Sequence, residues 1–128
     1  MNLSPVVLFV YNRPWHTRQT LEALARNDLA KYSTLYIYAD GKKDNSTHDQ
    51  INKINKVRQI IRERKWCKEV YIVEREHNWG LAENIIAGVT AVVNKHGSVI
   101  VLEDDLVTSV HFLRYMNDAL TIYEKEDK

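Results

Sequence analysis

Glu103-Asp104-Asp105 places three acids in succession directly behind the apolar run Val99-Ile100-Val101-Leu102. Carboxylate oxygens are hard ligands suited to Mg²⁺ or Mn²⁺, and Mg²⁺ is commonly held by one or two protein carboxylates together with substrate phosphates. Such an ion would neutralise a diphosphate and stabilise it as a leaving group; without it, three adjacent acids would repel an anionic ligand. A second reading needs no ligand at all. Asp104 or Asp105 caps the helix that begins near Ser109, since short polar side chains satisfy the free amides of a helix start. Other residues able to do chemistry stand singly. Arg13 offers a planar donor fork that suits a phosphate and also reads as a surface arginine. Asp40 precedes Gly41 in an ordinary turn pair. His77 has no second histidine or cysteine at ligand spacing, and Gly80 permits either a tight turn or the close approach of a ligand.

Whether these residues meet depends on the elements that carry them. Pro5-Val6-Val7-Leu8-Phe9-Val10-Tyr11 predicts a first strand, apolar on both faces, followed by a helix from Pro14 or Trp15 with Leu21, Leu24 and Ala25 on one face. Leu35 to Ala39 predicts a second strand, and a long helix from Asp44 or Ser46 buries Ile51, Ile54, Val57 and Ile61. Val70 to Val73 makes a third strand. Leu81, Ile85, Val89 and Val92 mark a third helix ended by Gly97. Val99 to Leu102 is long enough for a strand buried on both faces, at the centre of a sheet. A last helix after Thr108 or Ser109 turns Phe112, Tyr115, Met116, Ala119 and Tyr123 inward, and the segment from Glu124 to Lys128 is its solvated end.

The order βαβαβαβα predicts an α/β fold: a doubly wound, mostly parallel sheet of about four strands with right-handed crossovers and helices on both faces. Ligands of such sheets bind beyond the carboxyl ends of the strands. Those ends carry Tyr11, Asn12 and Arg13; Asp40; His77 and Asn78; and Glu103, Asp104 and Asp105. Polar groups at all four ends point to a binding edge, which a purely structural domain has little reason to assemble.

Composition narrows the function classes. The chain has 128 residues, the size of one domain, with 45% apolar and 27% charged residues and a formal charge of +1. That balance gives no global bias toward nucleic acid or acidic membranes. Cys67 is the single cysteine, which excludes an internal disulfide and fits a reducing, cytoplasmic compartment; it reads as a small structural residue. The run Val6 to Val10 has no basic leader and no small-residue cleavage site, so it is not a signal peptide, and nothing approaches the roughly 20 apolar residues needed to cross a bilayer. Any membrane contact is expected to be peripheral or through residues beyond this chain. The dinucleotide fingerprint, the P-loop and the hydrolase nucleophile elbow are all missing. The basic run Arg62, Arg64, Lys65, Lys68 is interrupted by Glu63 and Glu69 and reads as a solvated helix end.

Taken together, Tyr11-Asn12-Arg13-Pro14 behind the first strand, Asp40 behind the second, the segment from His77 to Asn84, and Glu103-Asp104-Asp105 resemble the nucleotide-sugar-binding part of GT-A glycosyltransferases. The chain is similar to the N-acetylglucosaminyltransferase I group and to family 2 glycosyltransferases over nearly its whole length. The resemblance implies a Rossmann-like half of a GT-A fold that takes a UDP-sugar and Mn²⁺ or Mg²⁺ and passes the sugar to the hydroxyl of a saccharide or other acceptor. It assigns the metal to Asp105, the ribose to Asp104, the donor sugar to Glu103, the diphosphate to Arg13 and the uracil to Asp40 and His77. Tyr11, Asn12, Gly80, Leu81 and Asn84 complete the nucleotide site. The family's commoner acidic motif is Asp-x-Asp, so Glu-Asp-Asp leaves the division of roles among the three acids open. The family's general base and acceptor site lie later in the chain. By this resemblance residues 1–128 form a single nucleotide-sugar-binding domain, the N-terminal part of a longer glycosyltransferase, with the base beyond Lys128.

Two other classes compete. A non-catalytic nucleotide-binding or interaction module on the same sheet would bind without turnover. A receiver-like phosphoacceptor domain needs a carboxylate pair after its first strand, where this chain has Tyr11-Asn12-Arg13.

Overall fold

The computed structural model describes residues 2–126, save for the side chains at positions 123, 125 and 126. Four parallel strands, β1 (Val6–Val10), β2 (Thr34–Ala39), β3 (Glu69–Glu74) and β4 (Ile100–Glu103), lie in the order β3-β2-β1-β4. They alternate with four helices, α1 (Pro14–Ala25), α2 (His48–Ile61), α3 (Leu81–His96) and α4 (Phe112–Glu126). The expected α/β, doubly wound parallel sheet is present.

All five residues of β1 are buried. Alternation along the strand sends Val6, Leu8 and Val10 into the larger core, with Leu21 and Leu24 of α1, Val57 and Ile60 of α2 and Leu113 of α4. Val7 and Phe9 go to the opposite face, against Tyr38 and Val92 of α3. Three helices therefore cover one face and α3 covers the other. The chain steps outward from β1 through β2 to β3, and α3 then carries it back across the sheet to β4. Strand order reverses between β1 and β4, and the crevice beyond that reversal is where open α/β sheets hold ligands.

β4 is an edge strand, not the central one its composition predicts. Val101 is 42% exposed and the burial along the strand alternates, because α3 packs chiefly against β1 and leaves the outer part of that face open. The second helix begins later than Asp44 or Ser46. Thr47 caps it, its hydroxyl accepting from the Gln50 amide at 3.2 Å while the Gln50 side chain accepts from the Thr47 amide at 2.8 Å. In α4 the buried face is also rotated. Tyr115 is 72% exposed, and Leu113 and Asn117 point inward beside the partly buried Phe112, Met116, Ala119 and Leu120. Hydrogen bonds set that rotation: Asn27 Oδ1 accepts from the Leu113 amide at 2.9 Å, and Asn117 Oδ1 from the Ser4 amide at 2.7 Å. Tyr123 and the segment from Lys125 onward lie outside the described side chains. Among the described residues no helix is long and apolar enough to cross a membrane.

Candidate functional site

Beyond the carboxyl ends of β1, β2 and β4 lies one cavity of about 450 Å³, within the range of ligand pockets. Each wall follows from a local feature of the chain. Pro14 starts α1 at the position where a missing N–H costs nothing, which leaves Arg13 at the helix entrance with its carbonyl accepting from the Thr17 amide at 2.9 Å. Thr20, buried on the same helix, donates its hydroxyl to the Asp104 carbonyl at 2.8 Å and ties the acidic turn to α1. Gly80 takes a positive φ of 82°, a conformation that disfavours side chains, and opens α3 from that point.

The acids differ in what they do. Arg13 Nη2 donates to Asp104 Oδ1 at 2.5 Å and lies 3.6 Å from Asp105 Oδ2. The hydrogen bond to Asp104 holds the Arg13 guanidinium above its ordinary pKa, with the charges of Asp104 and Asp105 adding to it against partial desolvation. The Asp104 side chain is only 10% exposed, whereas Asp105 is 47% exposed. Neither acid caps α4; the Phe112 amide donates to the Ser109 carbonyl instead. Glu103 is exposed at the cavity wall.

Asp40 is 5% exposed and binds the loop that leads into α3. Its Oδ1 accepts from the amides of Gly41 and Trp79, each at 2.8 Å, and its Oδ2 from the Gly80 amide at 3.1 Å and Asn78 Nδ2 at 3.2 Å. A side chain at Gly41 would run into the His77 backbone, so the two segments pass in direct contact. Arg75 braces the loop against α3, its guanidinium 3.7 Å from the Trp79 ring centroid and its Nε donating to Asn84 Oδ1 at 3.2 Å.

Ten of the eleven expected site residues line this cavity: Tyr11, Asn12, Arg13, Asp40, Gly80, Leu81, Asn84, Glu103, Asp104 and Asp105. His77 does not. It lies exposed in a neighbouring depression with Lys42, Lys43, Asp44 and Asn78, because the Asp40 clasp draws Asn78 and Gly80 to the cavity and leaves His77 outside it. Phe9, Val10, Lys43 and Asn78 line the cavity without having been assigned a role from sequence. The two apolar residues form its floor as the end of β1. Lys43, in a polar stretch after a turn, has the sequence signature of any solvated lysine.

The donor set bears on whether a divalent ion fits. Among the described residues no three histidine, cysteine or acidic side chains form a group that could hold a metal ion. The β4 end offers the exposed carboxylates of Asp105 and Glu103. That set fits Mg²⁺ or Mn²⁺ of the kind held by one or two carboxylates and completed by ligand phosphates and water, and does not fit a closed protein cage.

No family model matches the chain, and no curated protein matches it. Among solved structures it is similar to S. aureus TarS, a glycosyltransferase, at 17% sequence identity and a TM-score of 0.54, over 94% of this chain and 20% of that one. The chain thus spans about a fifth of the length of TarS. At this identity the likeness is one of fold: a Rossmann-like α/β arrangement found also in a glycosyltransferase.

Proposed function

We propose that this chain is the donor-binding part of a GT-A-type glycosyltransferase, similar to the N-acetylglucosaminyltransferase I group, which binds a UDP-sugar with Mn²⁺ or Mg²⁺ for transfer to an acceptor hydroxyl. The observation that carries the reading is the convergence of ten residues from three strand ends and the start of α3 on one cavity at the β1/β4 reversal. Asp105 holds the metal, Glu103 faces the donor sugar and Asp104 the ribose. Arg13, fixed at the start of α1, faces the diphosphate. A divalent ion bound there would neutralise the diphosphate and assist departure of UDP. The acceptor site and the general base belong to sequence after Lys128, and the chain is the N-terminal domain of a larger enzyme working in the cytoplasm.

Thermal unfolding with UDP, GDP and ADP, each with and without Mn²⁺, tests the proposal, because a ligand that binds only the native state raises its melting temperature. The expected result is a shift for UDP that requires Mn²⁺ and disappears in Asp105→Ala. Equal shifts for all three nucleotides, or none, would refute it. A nucleotide-binding module without turnover would give the same shift and no sugar transfer when the downstream sequence is restored.

A further inference from the structure

A carboxylate has about four lone-pair sites, and all four of Asp40 are taken, by three backbone amides and Asn78 Nδ2. Asp40 lines the cavity yet has nothing left with which to accept an N–H from a ligand. Asn78 spends both hydrogens of its amide, one on Asp40 Oδ2 at 3.2 Å and one on the Gly41 carbonyl at 3.0 Å. This pairing fixes the amide's orientation, since the reversed one would set its oxygen against a carboxylate and a carbonyl. Asn78 Oδ1 is therefore an acceptor, and among the described residues no group donates to it. Lys43 lines the same cavity, and no described acid pairs with it within ion-pair distance. The other lining cation, Arg13, is engaged by Asp104 and Asp105. The cavity thus presents one free acceptor and one strong donor, both on the segments that follow β2 and β3.

We infer that Asn78 Oδ1 and Lys43 Nζ read the nucleobase, taking an edge on which an N–H stands next to a carbonyl, while Asp40 acts as a positioning residue that holds Asn78 in place. The inference rests on the nucleotide-binding reading above. Uracil presents this edge at N3–H and its flanking carbonyls, and guanine presents it at N1–H and O6. Cytosine and adenine present the reverse, a ring-nitrogen acceptor beside an amino donor, and would leave Asn78 Oδ1 facing a lone pair and Lys43 facing an amino group. A site built to pair such groups rejects the ligand that leaves them unpaired.

Calorimetric titration of the full chain with UDP, GDP, CDP and ADP in Mn²⁺, for wild type and Lys43→Met, tests this. Wild type is expected to bind UDP about tenfold or more tightly than CDP and ADP, the worth of one hydrogen bond to a charged group. GDP joining UDP would mark the shared edge as the feature read, and UDP alone would mark the smaller ring as well. In Lys43→Met the UDP affinity should fall about tenfold while CDP and ADP are unchanged. Lys43 is exposed, so the ligand-free melting temperature of the variant stays at the wild-type value. A Lys43→Met loss that is equal for all four nucleotides would place Lys43 on the diphosphate and overturn the inference, as would a wild type that does not distinguish UDP from CDP. Binding of none of the four would refute the nucleotide-binding reading itself, and this inference with it.

Discussion

Replacing Asp40 with alanine removes the acceptor for four donors at once: the amides of Gly41, Trp79 and Gly80 and the Asn78 side chain. Net, each such hydrogen bond is worth about 1 kcal/mol, and an orphaned buried donor costs more. Against this, the variant no longer buries a charge, and the loop can take up water at its exposed side. The balance is a loss of about 2–4 kcal/mol. For a domain of this size about 1 kcal/mol corresponds to roughly 4 °C, so the melting temperature should fall by about 8–16 °C. Asp40→Asn keeps one oxygen and turns an NH₂ toward two donors, and should lose about half as much. Circular dichroism measures the melt. Native-state hydrogen exchange reads the cause: the Trp79 and Gly80 amides should be protected in wild type, both should exchange quickly in Asp40→Ala, and one of the two should do so in Asp40→Asn, since they sit on different oxygens. A melting temperature within about 2 °C of wild type, with those two amides still protected in Asp40→Ala, would refute the clasp.

Other expected outcomes follow from single contacts. A methyl at Gly88 would come 2.8 Å from Phe9 Cε1, and Phe9 is wedged against Tyr38. Overpacking of about 1–3 kcal/mol should outweigh the gain of about 1 kcal/mol from replacing a helical glycine, so urea melts should show Gly88→Ala less stable than wild type. Burial pushes the Cys67 thiol up to about 12; alkylation by iodoacetamide at pH 8 should be negligible in the native protein and prompt in urea, and prompt native labelling would contradict the burial. Arg13 is 44% exposed but its partner Asp104 only 10%, so Arg13→Met leaves a largely buried carboxylate unpaired and should cost about 1–3 kcal/mol of stability while weakening Mn²⁺-dependent UDP binding clearly in calorimetry. The hydrogen bond from Arg114, with His111 adding to it, holds the Asp28 carboxyl below its ordinary value. Its contribution is therefore present above the unfolded carboxylate pKa and lost as pH falls through the lower folded value, so the stability difference between wild type and Asp28→Asn should shrink on acidification below about pH 4.

Much of the fold is legible in the chain because β1 is apolar at every position and the three other strands are short runs rich in β-branched, aromatic or other apolar residues separated by helical spacing. That pattern leaves a parallel sheet as the arrangement that buries them all. Strand order is another matter. Val99 to Leu102 is as apolar as β1, and no local property tells an edge strand from a central one when the difference lies in how far α3 reaches across the sheet. Several helical stripes overlap in α4, and the choice of Leu113 over Tyr115 is made by Asn27 and Ser4, 86 and 113 residues away from their partners Leu113 and Asn117. At the start of α2 Asp44, Ser46 and Thr47 are all good caps, and only the Thr47-x-x-Gln50 spacing favours the last. The site follows the same division. Residues at strand ends, Asn78 among them, are readable once the strands are, whereas Lys43 has the local signature of any solvated lysine, and the bond that fixes Asn78 in the cavity joins it to Asp40, 38 residues away. His77 stays outside for the same reason.

The most direct test of the account is paramagnetic: amide spectra of the ¹⁵N-labelled chain with Mn²⁺ added in the presence and absence of UDP. The expected result is broadening centred on Glu103, Asp104, Asp105 and Arg13 that needs UDP for its full extent and vanishes in Asp105→Ala. Broadening centred elsewhere on the molecule, or unaltered by either UDP or Asp105→Ala, would contradict the assignment of this cavity to a metal-bound nucleotide.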